Sequence, residues 1–353
     1  MEIKTFLKEI SEASGVSGYE LQLRQIVRRT FATWADEVKE DTLGNVIAFK
    51  RGKGEADGRH YKIMLAGHMD EIGLMVTQLE GGFIRFTQVG GFDRRTLVGQ
   101  EVVVHGREEL PGIIASRPPH VLPEEAREKP VPWEELFIDV GLDEKKLGEL
   151  VRVGDLITIR RDLCELQNGW VAGKAFDDRA AVVAIAHCLE VLSGLEHKWD
   201  VYGVATVQEE TGLKGAMTSA YGVAPDIAVA VDVGFGEMPG VSEMDALDMG
   251  GGPAIAYGPN IHPLIHSRLV DIATRQEIPY QLDPAPGPTG TDAWAIQVAR
   301  EGIPSGLLSI PLRYMHTSVE TLVLKDMART GRLLAHFIAS LDAEFAKQLG
   351  LKK

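Results

Sequence analysis

Two adjacent glutamates, Glu209 and Glu210, stand where the apolar run "VYGVATV" gives way to a glycine-containing turn in "VATVQEETGLKG". An uncharged, β-branched run of this kind reads as a strand buried on both faces. Acid at its mouth is costly, because neighbouring carboxylates repel one another and lose hydration unless a cation lies between them or both point into water. Four other segments repeat the oddity. "IMLAGHMDEIG" ends a strand with His68 and, two residues on, Asp70; "GKAFDDRAAV" opens a helix with Asp177 and Asp178; "IAVAVDVGFG" ends a strand with Asp232; "IPLRYMHTSVE" delivers His316 just past another. Two histidines and several carboxylates, with no thiolate among them, suit zinc, cobalt or manganese.

Each feature alone has a structural explanation. A histidine after a strand is commonly a hydrogen-bonded structural residue, an Asp pair before a helix is commonly an N-cap, and a Glu pair commonly marks a solvated turn. What argues against these readings is recurrence at successive element ends. In open α/β sheets, ligands bind outside the carboxyl ends of the strands, so segments far apart in sequence can converge there.

The elements that would position them follow from periodicity. Helix patterns in "IKTFLKEISEA" and "YELQLRQIVRRTFATWA" precede two extended stretches around "TLGN" and the buried strand "YKIMLAGH". From Glu71 to Asp162 short β-rich runs alternate with glycine-containing turns, which reads as a small β-barrel or sandwich inserted into a larger domain. After Cys164 strand and helix alternate again: "AAVVAIAHCLEVLSG", "HPLIHSRLVDIATRQ", "TDAWAIQVARE" and "LKDMARTGRLLAHFIASLDAEFAK" as helices, "WDVYGVATV", "PDIAVAVDVG" and "IPSGLLSIP" as strands. The expected fold is therefore α/β, a mixed sheet covered by helices on both faces, with residues 1–70 and 163–353 forming one domain and 71–162 the inserted one.

Composition narrows the function classes. A chain of 353 residues exceeds the size at which a single core usually stops growing. The net charge of -14 and the lack of any Lys/Arg run argue against nucleic acid. No segment approaches the ~18 consecutive apolar residues of a membrane helix, and the charged amino-terminal segment does not read as a signal peptide. Cys164 and Cys188 sit in unrelated contexts and read as buried free thiols, which suits a reducing cytoplasm.

The blocks "AGHMDEIGLMV", "KAFDDRAAV", "VQEETGLKGA", "VAVDVGFG" and "GTDAWAIQVAREGIPSGLLSIPLRYMHTSVETL", in that order, resemble the five motif blocks of the M42 family of dinuclear-metal aminopeptidases, which includes the tetrahedral TET peptidases. The similarity spans the whole chain, including "ASRPPHVL" and "LFIDVGL" of the insertion. The resemblance implies two divalent ions per subunit, one held by His68 and Glu210, the other by Asp232 and His316, with Asp177 bridging them. It implies that Asp70 accepts the second ring proton of His68, that Asp178 supports the bridging carboxylate, and that Glu209 is the general base. Short peptides are the implied substrates. A homo-oligomer is implied too, a dimer through the inserted domain and then a hollow tetrahedral dodecamer. Thr291 and Asp292, in the loop "GPTGTDAW", would lie near the substrate. His105, His120, His262 and His266 have no partner motif and read as non-ligands.

Two other readings compete. Paired carboxylates also hydrolyse glycosides, but that chemistry would not need His68 and His316. An assembly protein with a structural metal would have a closed ligand set and no spare acid, and Glu209 argues against it.

Overall fold

Alternation along the central strands decides which way each layer faces. In Lys62–His68, Ile63 and Leu65 join one apolar cluster while Met64 and Ala66 join another, so both faces of the sheet are covered. The computed structural model describes residues 1–56, 58–126, 128–242 and 246–351. Its main sheet has eight strands, in the order Glu37–Glu40, Val46–Lys50, Asp200–Thr206, Lys62–His68, Ile227–Phe235, Ser305–Leu312, Ala254–Tyr257 and Gln281–Pro284. The middle four run parallel, so their carboxyl ends share one edge.

The larger apolar cluster lies under the helices Ile3–Glu12, Leu21–Phe31, Phe176–Leu192, Pro263–Arg275 and Leu324–Ala339. Phe176–Leu192 is buried almost all round because it is packed between the sheet and two other helices. The smaller cluster lies under Lys214–Val223 and Asp292–Ile296.

Between Gly73 and Ile159 the chain closes a six-stranded barrel in the order Gly73–Glu80, Phe83–Val89, Phe137–Asp139, Glu109–Ala115, Glu101–His105 and Leu156–Ile159. Alternate residues such as Leu74 and Val76, Ile84 and Phe86, and Val102 and Val104 fill it. The expected β-rich insertion is thus a barrel rather than a sandwich. It also contains a helix that the sequence pattern did not suggest, Glu144–Leu150, which starts where Asp143 accepts from the Lys146 amide at 2.8 Å and adds Leu147 to the barrel core.

Other differences have local causes. "TDAWAIQVARE" is helical only over Asp292–Ile296, and Arg300 turns into the left-handed region. The closing helix breaks at Ser340, and a second one, Ala343–Gln348, starts where Asp342 accepts from the Phe345 amide. The helix Lys214–Val223 and the strands Ala254–Tyr257 and Gln281–Pro284 were unanticipated; Pro284 closes an edge strand, where proline is tolerated. A small antiparallel sheet joins Cys164–Glu165, Trp170–Gly173 and Glu320–Val323. Cys188 is buried as expected, whereas Cys164 is exposed. Among the described residues no helix is long and apolar enough to cross a membrane.

Candidate metal centre

The parallel strands deliver the site. His68 is the last residue of Lys62–His68 and pairs with Thr206, so the Glu209–Glu210 step begins three residues beyond that pair. The ladder between Lys62–His68 and Ile227–Phe235 ends at Ala230↔Ala66, two residues before Asp232 and His68, which places both side chains on one face at the carboxyl edge. Asp177 enters from the start of Phe176–Leu192, where the Asp177–Asp178 peptide is cis. His316 lies four residues past Ser305–Leu312. Non-glycine residues with positive φ cluster here: Ala175, Gln208, Leu213, Tyr314 and His316. Such conformations cost of order 1–3 kcal/mol each and concentrate where side chains are aimed at a site.

Asp177 is at the centre. Its Oδ1 lies 3.2 Å from His68 Nε2, its Oδ2 lies 3.2 Å from His316 Nε2, and His316 Nε2 lies 3.4 Å from Glu210 Oε1. Three sets of donor atoms lie within 4.8 Å of one another: His68 with Glu209 and Glu210, His68 with Asp178 and Asp232, and Asp177 with Glu210 and His316. Two ligands bound at about 2.1 Å in tetrahedral geometry are roughly 3.4 Å apart, which is the spacing seen around Asp177. The residues present fit divalent cations. One set keeps the implied company of His68 with Glu210; the other two group Asp232 with His68, and His316 with Glu210 and Asp177.

Asp70 is used differently from expectation. Its carboxylate is 3.6 Å from His68 Nδ1, too long for a hydrogen bond, and the ring nitrogen meets the Asp70 carbonyl oxygen at 3.2 Å instead. The carboxylate accepts from the backbone amides of Glu209, at 3.0 Å, and Glu210, at 3.2 Å. Asp70 therefore orients the histidine with its carbonyl and the two glutamates with its side chain. Asp178 accepts from the His68 amide at 3.2 Å, and its other oxygen has no partner.

The electrostatics show how unbalanced the cluster is without cations. Burial pushes Glu209 up to about 9 and Asp232 up to about 8, with neighbouring carboxylates adding to both. Bonds from Asp177 and Glu210 push His316 up to about 11. Burial opposes charge on His68, but Glu209, Asp177 and Asp70 hold it well above its ordinary value. A divalent cation held by these carboxylates would supply positive charge and bring their values down.

Sequence reasoning missed Glu320. Its strand pairs with Trp170–Gly173 in the register Gly173↔Glu320, four residues before Asp177. Its buried carboxylate accepts from the Asp177 amide at 3.1 Å and from the His316 amide at 2.9 Å, clipping together two segments that carry ligands. The only available signal was an acid in "TSVETLV" that begins a strand. Asp292 is fully enclosed, bonded to the Thr206 hydroxyl at 2.5 Å, and pushed by burial up to about 6; Thr291 lines the cleft. The barrel also reaches the site: a Cβ on Gly91 would stand 3.3 Å from His316 Nδ1. As for the histidines set aside, His105 bonds to Thr158 and His266 to the Ala256 carbonyl.

A cleft of about 890 Å³ opens over the cluster, lined by His68, Asp177, Glu209, Glu210, Asp232 and His316 among others. Residues 44–333 match the family model of M42 glutamyl aminopeptidases. A lysyl aminopeptidase of Pyrococcus furiosus is 36% identical over 342 residues, 95% of this chain and 96% of the relative. A solved TET aminopeptidase from a marine-sediment Thaumarchaeota archaeon is 36% identical with a TM-score of 0.92, covering 98% of each chain. The TET1 peptidase of Pyrococcus horikoshii, which can assemble into a tetrahedron or a large octahedral shell, is 32% identical with a TM-score of 0.84 over 96% of this chain and 100% of its own. A parallel-stranded core presenting histidines and carboxylates at its carboxyl edge, with a barrel inserted beside them, defines a metallopeptidase. The chain belongs to the M42 glutamyl aminopeptidase family. Its activity is metal-dependent aminopeptidase activity, and glycoside hydrolysis and a purely structural role are not favoured.

Proposed function

We propose that this chain removes the amino-terminal residue of short peptides using two divalent cations, zinc or cobalt with manganese as a third compatible ion, and Glu209 as general base. His68, Asp177 and Asp232 would hold one cation, and Asp177, Glu210 and His316 the other. The observation that carries this reading is Asp177, whose two oxygens each meet a different histidine at 3.2 Å. Bound cations would polarise the scissile carbonyl and lower the pKa of an attacking water from 15.7 toward about 7.

The chain's own residues do the rest. Glu209 Oε2 lies 3.8 Å from His68 Nε2, close to the ligands but bonded to neither histidine, and so is free to take a proton from the attacking water. The same oxygen then delivers that proton to the departing amine nitrogen. Asp70, by holding the Glu209 and Glu210 amides, keeps one glutamate on the cations and the other on the water.

The proposal extends to organisation. Residues 1–70 and 163–353 would form the catalytic domain, and 71–162 the domain that joins two subunits, with dimers building a hollow dodecamer in the cytoplasm. Support comes from apolar side chains that the barrel segment leaves exposed, Val98, Ile113, Val121 and Val153, and from the shells that the TET1 relative assembles. The catalytic role is tested by Glu209→Gln: two cations per chain should remain bound while kcat falls about 10²- to 10⁴-fold. Cleavage at the wild-type rate would remove Glu209 from the mechanism.

A further inference from the structure

The cleft continues beyond the metal ligands toward the edge strand Gln281–Pro284 and the loop that follows it. Its charge is one-sided. Among the described residues that line it, Asp283 is the only ionisable side chain outside the cluster, and none is lysine or arginine.

Strand register places Asp283. Across the sheet Asp232 pairs with Ser309, Ser309 with Ala254, and Ala254 with Gln281; Asp283 follows two residues along the same strand, on the same face. Its half-buried carboxyl faces the Ser309 side of the cleft, so it leans back across the sheet toward the ligand row. The three pairings set its strand about 14 Å from that of Asp232, and the lean toward Ser309, which pairs directly with Asp232, carries the carboxyl back over part of that gap. The cleft between and around them is apolar, lined by Leu307, Leu282, Phe235, Leu247 and Met315.

An amino-terminal residue whose carbonyl is held at the cluster must send its side chain somewhere in this cleft. A lysine carries its ammonium roughly 6 Å from Cα across five bonds, with a stem of four methylenes. That stem suits the apolar walls, and the ammonium would reach an acid that meets no lysine or arginine among the described residues lining the cleft. A glutamate there would bring its carboxylate against the like charge of Asp283.

We propose that Asp283 selects lysine or arginine as the residue removed. The inference rests on the aminopeptidase reading of the same site. The holoenzyme is assayed with the p-nitroanilides of lysine, arginine, leucine and glutamate, for wild type and Asp283→Asn. In wild type, kcat/KM for lysine and arginine should exceed that for leucine by about tenfold or more, with glutamate lowest. Asp283→Asn should lower the lysine and arginine values roughly 10- to 100-fold. The leucine value should hold within about threefold, which also shows that the variant is folded. A wild-type preference for leucine or glutamate, or an equal loss on all four substrates, overturns the selection role; the equal loss would mean that Asp283 holds the α-ammonium common to all of them. No cleavage of any substrate by wild type would instead strike the aminopeptidase reading itself, and this inference with it.

Discussion

Two nests of buried charge lie close together in this fold and are balanced in opposite ways. In the first, Glu71 accepts from Lys174 at 2.6 Å, from Arg179 at 3.1 Å and from the Gly15 amide at 3.0 Å. Arg179 donates further to the carbonyls of Ile10, Ala13 and Met69, tying the first helix and the approach to the barrel to Phe176–Leu192. Every charge there meets its complement from within the chain. In the second, Asp177, Asp178, Glu209, Glu210, Asp232 and Asp292 crowd two histidines, with no lysine or arginine among the described residues lining the cleft. A fold that supplies its own cations to one nest and leaves its neighbour short of positive charge has built the second for cations from outside.

The contrast can be broken from the closed side first. Replacing one partner of a buried ion cluster leaves the others unpaired and costs about 3–5 kcal/mol. Glu71→Gln, which strands Lys174 and Arg179, should lower unfolding stability by about that amount in urea titrations, yet leave cation affinity near wild type. The pH dependence has a defined sign. Lys174 and Arg179 outweigh the cost of burial and hold Glu71 below its ordinary value of 4.5. Its contribution is complete above that value and is lost as pH falls through the depressed folded one. Thermal unfolding of cation-free protein should therefore lose stability more steeply below about pH 4.5 in wild type than in the variant.

On the open side, Glu320→Gln should weaken cation binding about 10- to 100-fold, because it loosens the clip on the Asp177 and His316 amides; competition with a chelator measures it. The smallest effect has the opposite sign from Glu71→Gln. In cation-free protein, Asp232→Asn removes a carboxyl that burial raises from 3.8 to about 8, and should stabilise the fold by about 1 kcal/mol. The gain should grow as pH rises from about 4 toward 8, the window in which the unfolded chain would lose a proton that the folded site retains. Equal signs for Glu71→Gln and Asp232→Asn would erase the distinction between the two nests.

Much of the open nest was legible in the sequence, because functional acids interrupt strong strand patterns. His68, Asp232 and Glu209–Glu210 all end apolar runs whose pairing brings them to one edge. The closed nest and the supporting shell were not legible. Glu71, Lys174 and Glu320 look like ordinary surface charges until pairing between Trp170–Gly173 and Glu320–Val323, and packing against the first helix, bury them. Asp70 was read as a partner for a ring nitrogen, but backbone amides of the Glu209–Glu210 turn claim its carboxylate, and no side-chain pattern announces an amide. Short edge strands were missed for a related reason: Gln281–Pro284 owes its conformation to Ala254–Tyr257 beside it, not to its own composition.

The central claim is that five side chains meeting at Asp177 hold a pair of cations. Equilibrium dialysis of the full chain against zinc or cobalt, followed by metal analysis, tests it most directly. The account predicts two ions per chain in wild type and loss of at least one in Asp177→Ala. Wild type that retains none, or a variant that binds as many as wild type, would contradict it.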